Sequence, residues 1–270
     1  MSERTVIVRG REWAHPVRPV RREVLAAAPE FDEGKPPVLF VPGYRHGAWV
    51  YAEHWLEHAA SRGFPAYAVS LRGHGRSGPA PEATLRAYVH DVVQVAAELP
   101  RQAVLVGHGA GGLVVAAALA RYPARAAVLL APVFGGWGPL LTALRTNPVG
   151  TVPALFGGRL GLNRRQLFSP QVPDAVARGY LGRLDPVGRR AQWQLLRNRS
   201  LEPAVGAPPV LVIGSPDDRV VPPAQLNRAA GRYRAAPLLF PGMGHDLMLD
   251  VRWQEPLDAL LDWLDKEQPG

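Results

Sequence analysis

Cysteine is absent from this sequence. That excludes disulfides, thiolate metal sites and a cysteine nucleophile. Lysine is almost absent as well: Lys35 and Lys266 are the only two, so the net charge of +8 is carried by arginine. The arginines are scattered, with short pairs such as Arg164-Arg165 and Arg189-Arg190, in a chain rich in Ala, Gly and Pro. This reads as a coding-composition bias. Neither a long basic run nor a nucleic-acid motif is present, so no nucleic-acid partner is expected. Apolar runs stop far short of the roughly 18 residues of a membrane span; Leu113 to Ala120 is a long one, ended by Arg121. The opening Met1-Ser2-Glu3-Arg4 leads into no apolar targeting segment. A cytoplasmic protein without a membrane partner is the expectation.

What is present suits one sizeable domain. The chain has 270 residues, 47% hydrophobic and 20% charged, enough to bury a real core. Short apolar strands alternate with helical stretches. Thr5 to Arg9 and Val20 to Ala27 read as an antiparallel edge hairpin. Val38 to Val41, Ala66 to Ser70, Ala103 to Val106, Ala126 to Leu130, Val210 to Ile213 and Pro237 to Phe240 read as further strands. Helices are expected over Ala52 to Arg62, Leu85 to Leu99, Gly111 to Tyr122 and Pro256 to Lys266, the second and third ended by Pro100 and Pro123. Repeated strand–helix–strand units predict an α/β fold with a mostly parallel central sheet and helices on both faces.

One stretch breaks the alternation. From Pro132 to Pro208, Gly, Pro and Arg dominate, with short helical pieces at Pro173 to Leu181 and Gly188 to Arg197. Large apolar side chains run through it, among them Phe134, Trp137 and Trp193. The division expected is therefore residues 1–132 and 209–270 as core, and 133–208 as a lid insertion. Its apolar side chains are read both as a satellite core and as the wall of an apolar pocket.

The segment Val104-Leu105-Val106-Gly107-His108-Gly109-Ala110-Gly111-Gly112-Leu113 runs from strand to tight turn to Ala-rich helix. It has the layout of a nucleophile elbow, with glycine where Ser, Cys or Asp would stand. Serine is scarce elsewhere. Ser70, Ser77, Ser215, Ser169 and Ser200 sit on no tight strand-to-helix turn, so none inherits the activation an elbow gives.

Four further motifs stand in order at predicted strand ends: Val38 to Trp49, containing Pro42-Gly43-Tyr44-Arg45-His46-Gly47; Ser70-Leu71-Arg72-Gly73-His74-Gly75-Arg76-Ser77-Gly78; Gly214 to Pro222, containing Asp217-Asp218; and Pro241-Gly242-Met243-Gly244-His245-Asp246. With the elbow, these resemble the α/β-hydrolase superfamily, in its small esterase, lactonase and lyase-like branch, over nearly the whole chain. One departure is Pro42-Gly43 where the family usually has His-Gly. The larger one is Gly109.

The resemblance implies roles. Asp218 is the expected acid, with Asp217 as the fallback, and His245 the expected base. The backbone amides of Tyr44 and Ala110 are the expected oxyanion hole, at turn and helix starts where free N–H groups favour negative charge. His46, Trp49, His108, Phe134, Trp137 and Trp193 are candidate pocket residues, and His74 is expected to brace its own turn. No metal and no cofactor is implied; the partner is a small, largely apolar carbonyl compound. No heptad or long apolar edge specifies an oligomer.

Three readings of Gly109 follow. In the first, His245 and Asp218 carry out general-base chemistry without a covalent intermediate: elimination, cyclisation, isomerisation or cofactor-free oxygenation, of the kind found in secondary metabolism. In the second, the chain is an inactive pseudo-hydrolase that binds or interacts. The third is an ester or epoxide hydrolase, using direct water attack or being a variant of a serine esterase whose nucleophile was changed from Ser to Gly. Because acid, base and anion loop all remain legible, the first reading is favoured.

Overall fold

In the computed structural model, residues 6–7, 10, 14–197 and 200–267 are described. Seven strands form one sheet in the order β1-β3-β2-β4-β5-β6-β7. They are β1 (Glu23–Ala27), β2 (Val38–Val41), β3 (Ala66–Ser70), β4 (Val104–His108), β5 (Ala126–Leu130), β6 (Val210–Gly214) and β7 (Leu238–Leu239). Every pairing is parallel except β1 with β3. Residues of β2, β4 and β5 are all buried, as continuous apolar runs require when helices cover both faces of a sheet. The two faces carry separate cores, one around Phe40, Tyr51, Trp55 and Leu257, the other around Leu39, Leu105, Leu113 and Val115.

The edge differs from expectation. β1 pairs with β3, with Glu23 opposite Ser70 and Ala27 opposite Ala66. Polar contacts lock that register: Ser70 Oγ donates to Glu23 at 2.6 Å, and the Glu23 amide donates to Ser77 Oγ at 2.9 Å. Of the other half of the expected hairpin, Val6 and Ile7 are described and are not in a strand; Thr5, Val8 and Arg9 lie outside the described residues. The helix expected over Ala52 to Arg62 is two, Trp49–Ala52 and Trp55–Ser61. They are separated where His54 leaves helical geometry at φ −146°.

Between β5 and β6 the described chain forms five helices and no strand: Trp137–Thr146, Pro148–Leu155, Arg164–Leu167, Asp174–Gly182 and Arg189–Leu196. This segment is not a detached cap. Leu167, Phe168, Val172 and Ala177 belong to the first core, and Val187, Ala191 and Leu195 to the second.

The sheet order places a site. The chain passes from β2 outward to β3 and then returns to the far side of β2 to form β4. Loops leaving the carboxyl ends of β2 and β4 therefore part in opposite directions and leave a crevice, the usual binding position in open α/β sheets. Tyr44 and His46 follow β2 there, and Gly109 follows β4.

Candidate active site

β4 ends at His108, and the chain turns at Gly109 into the helix Ala110–Ala118. Gly109 sits at φ +52°, ψ −119°, a conformation that costs any residue with a Cβ. Its glycine neighbours serve close backbone approach: a Cβ on Gly107 would lie 2.5 Å from the Gly111 carbonyl oxygen, and one on Gly111 would strike the Pro42 carbonyl. Gly109 is different. A Cβ there would meet His245 Nε2 at 3.1 Å, and its next neighbour, another atom of the same ring, at 3.7 Å. The turn thus aims its side-chain position at the imidazole.

The imidazole is braced from behind. His245 Nδ1 lies 2.8 Å from Asp218 Oδ2. Asp218 Oδ1 accepts from the Val220 and Val221 amides at 2.6 and 3.0 Å, so the carboxylate cannot rotate away. With Nδ1–H donating to Asp218, Nε2 carries the lone pair, and no described protein group pairs with it. Burial pushes the His245 pKa down, but the Asp218 charge and hydrogen bond outweigh it and hold the imidazole above its ordinary 6.5. Asp217 instead accepts from the Gly242 amide at 2.7 Å. Of the two adjacent aspartates, Asp218 is the one paired with His245.

A second polar group lies beneath. His46 Nδ1 is 2.9 Å from the Tyr44 carbonyl and Nε2 is 3.1 Å from Asp246 Oδ2. Both partners are oxygens that accept, so bonding on both sides of the ring needs a second proton on the His46–Asp246 pair. Burial raises the Asp246 pKa, but the His46 charge and hydrogen bond, with His108 and His245, bring it below the usual carboxylate range. His108 Nε2 donates to the His245 carbonyl at 3.1 Å, and its ring centre stands 4.6 Å from that of His245. Burial, then the nearby His245, depress His108 to about 3, so it is neutral. His108, His245 and Asp246 bring one ligand-type atom each within 4.8 Å of one another. One atom of each is already held, by Asp218, a carbonyl and His46, while His245 Nε2, His108 Nδ1 and Asp246 Oδ1 form no hydrogen bond with a described residue.

Facing this polar floor is an apolar pocket of about 70 Å³. Tyr44, His46, His108, Ala110 and His245 line one side; Leu140, Ala143, Leu162, Leu167 and Leu196 line the other. Neither the Tyr44 nor the Ala110 amide donates to a described protein acceptor. Burial pushes the Tyr44 phenol up to about 12, and its hydroxyl donates to Gln192 at 2.7 Å, a bracing contact between the first loop and the helical segment.

This arrangement fits what comparison with known proteins shows. A model of the alpha/beta hydrolase family matches residues 38–263. The chain belongs to that family. A monoacylglycerol lipase of Mycolicibacterium smegmatis is 28% identical over 250 residues, covering 84% of this chain and 87% of the lipase. Among solved structures, a monoacylglycerol lipase of Paleococcus ferrophilus superposes with a TM-score of 0.69 at 20% identity, over 93% of this chain and 100% of that one. A thermophilic esterase of Thermogutta terrifontis gives a TM-score of 0.67 at 17% identity, over 92% and 94%. At such identities the solved structures speak for the fold. The sequence relative is named for a hydrolytic activity, and a putative non-heme bromoperoxidase stands among the structural neighbours beside the esterases and lipases.

Some expected pocket residues lie elsewhere. Trp137 and Trp193 face solvent, because Pro139, Leu140 and Ala143 turn inward from the first helix of the segment, and Gln192, Leu195 and Leu196 from its last. Phe134 packs against the second core, and Trp49 stacks with Tyr180 and carries the Arg183 guanidinium over its ring. His46 and His108 do line the pocket. His74 is buried and bonds within its own turn, to the Arg72 carbonyl at 3.2 Å. Asp246 was missed as a site residue, although its place directly after His245 was the available signal.

Proposed function

We propose that this protein is an enzyme that works by general-base chemistry without a covalent intermediate, on a small carbonyl compound held in the apolar pocket. The observation that carries the reading is the aim of His245. Its free Nε2 points into the space a nucleophile's side chain would fill, 3.1 Å from the Cβ position of Gly109. A substrate carbon acid or a water occupying that space is within reach of the base. The Tyr44 and Ala110 amides then hold the developing oxyanion, and Asp218 stabilises the imidazolium that forms. His46, positioned by Asp246, anchors the loop that carries Tyr44.

Size narrows the reactive group. A pocket of 70 Å³ holds on the order of five water positions, enough for a short acyl or ketone portion. Larger substrates need the helices of residues 133–208 to shift, which is the sense in which we read that segment as a lid. Two acceptors for the base are open. Proton abstraction from substrate leads to elimination, cyclisation or isomerisation. Activation of water leads to ester hydrolysis, a reading favoured by the esterase and lipase relatives.

The test is kinetic. Purified protein should show no burst with p-nitrophenyl butyrate, and any slow steady release of p-nitrophenol should fall at least about 100-fold in His245→Ala. A stoichiometric burst would contradict the proposal. So would turnover that survives His245→Ala.

A further inference from the structure

The helical segment between β5 and β6 has two faces with different chemistry. Its first helix, Trp137–Thr146, sends Leu140 and Ala143 into the pocket. The opposite stripe, Trp137, Leu141 and Arg145, recurs every four residues and is exposed, Trp137 at 79%. The next helix, Pro148–Leu155, continues the display with Val149 at 87%, then Val152 and Leu155, and Phe156 just beyond it at 85%. Exposed apolar side chains are common singly. Five on two consecutive helices, with Phe156 directly after them, are an unpartnered face.

The charge around this face is also unusual. Residues 133–208 hold ten arginines and three acidic residues, a net +7 out of the chain's +8. The scatter noted along the sequence is therefore uneven: the rest of the molecule is nearly neutral. Arg145 extends the Trp137–Leu141 stripe. A Cβ on Gly157 would lie 2.6 Å from the Arg189 guanidinium, which puts that cation against the residue that follows Phe156 in the chain. Arg145, Arg159 and Arg189 are exposed and form no ion pair with a described residue.

From this we infer that the outer face of the segment docks on an anionic lipid surface. Aromatic and aliphatic side chains at the tip enter the interface while arginines alongside meet anionic headgroups, the pattern of a peripheral amphipathic helix. A protein partner with an apolar patch would not need exposed, unpaired arginines such as Arg145, Arg159 and Arg189 in the same segment. No helix among the described residues is long and apolar enough to cross a membrane, so the contact is peripheral. The absence of a spanning run, behind the expectation of no membrane partner, does not bear on it. Since Leu140 and Ala143 lie on the reverse of the same helix, apolar molecules leaving the lipid would have one helix thickness to pass. Docking does not depend on the proposed chemistry.

The experiment is cosedimentation of the full chain with sonicated vesicles of phosphatidylcholine alone, or with 30% phosphatidylglycerol. Binding to the anionic vesicles is expected and should weaken in high salt. Trp137→Ser combined with Phe156→Ser should cut it at least tenfold, with circular dichroism and melting temperature unchanged. Arg145→Gln should weaken it about fivefold, the factor for one cation at such a surface. A wild type that stays in the supernatant with both vesicles overturns the inference, as does binding unaltered in the folded aromatic double variant. Concentration-dependent self-association through the same residues, abolished by the double variant without any vesicle binding, overturns it too.

Discussion

Two histidines within one site are held in different states by their neighbours. His245 is raised above 6.5 despite burial, because Asp218 supports its cation. His108, 4.6 Å away between ring centres, is depressed to about 3 because burial and His245 both oppose a second charge. The consequences for stability have opposite signs. An unfolded His108 takes up a proton near pH 6.5 while the folded one does not, so its contribution is whole above 6.5 and is lost as pH falls towards 3. His245 binds its proton more tightly when folded, so its contribution is present below 6.5 and lost as pH rises through the folded value. Urea unfolding at pH 7.5 and 5 should show the acid loss, and His108→Asn should reduce it even if the variant is weaker at both pH values. An unchanged pH difference in that variant would place the acid sensitivity elsewhere.

Secondary-structure elements matter here mainly for the turns they end in. The Arg72 guanidinium, after β3, grips Asp91 on the helix Leu85–Glu98 through two bonds of 2.9 and 2.6 Å, both side chains buried. Removing one partner of such a pair leaves an uncompensated charge, costing about 3–5 kcal/mol. Asp91→Ala should lower stability by that order in chemical denaturation, while a loss below about 1 kcal/mol would show that the pair is dispensable. Much at this scale was legible in the sequence. The apolar runs of β2, β4 and β5 announced central strands, and Gly107, Gly109 and Gly111 announced a tight strand-to-helix turn. The edge was not, since β1 chooses β3 through Glu23, Ser70 and Ser77, contacts between residues far apart in the chain. Trp137 and Trp193 were misplaced for a related reason: their helices are short, and only packing against the core decides which face turns inward.

Across the whole molecule, the sheet crevice brings together residues from four separated motifs: Tyr44 and His46 after β2, Gly109 and Ala110 after β4, Asp218 after β6, and His245 with Asp246 after β7. The motif order suggested that the acid and base belong to one site, and their hydrogen bond accords with it. The pairing of His46 with Asp246 was not readable, because 200 residues separate them. Gly109 gives this assembly no side-chain nucleophile at the elbow. Intact-mass spectrometry after incubation with an alkyl fluorophosphonate, which captures serines activated by a neighbouring base, tests that absence directly. The wild type should keep its unmodified mass, and a folded Gly109→Ser variant should gain one adduct. An adduct on the wild type, or none on the folded variant, would contradict the account.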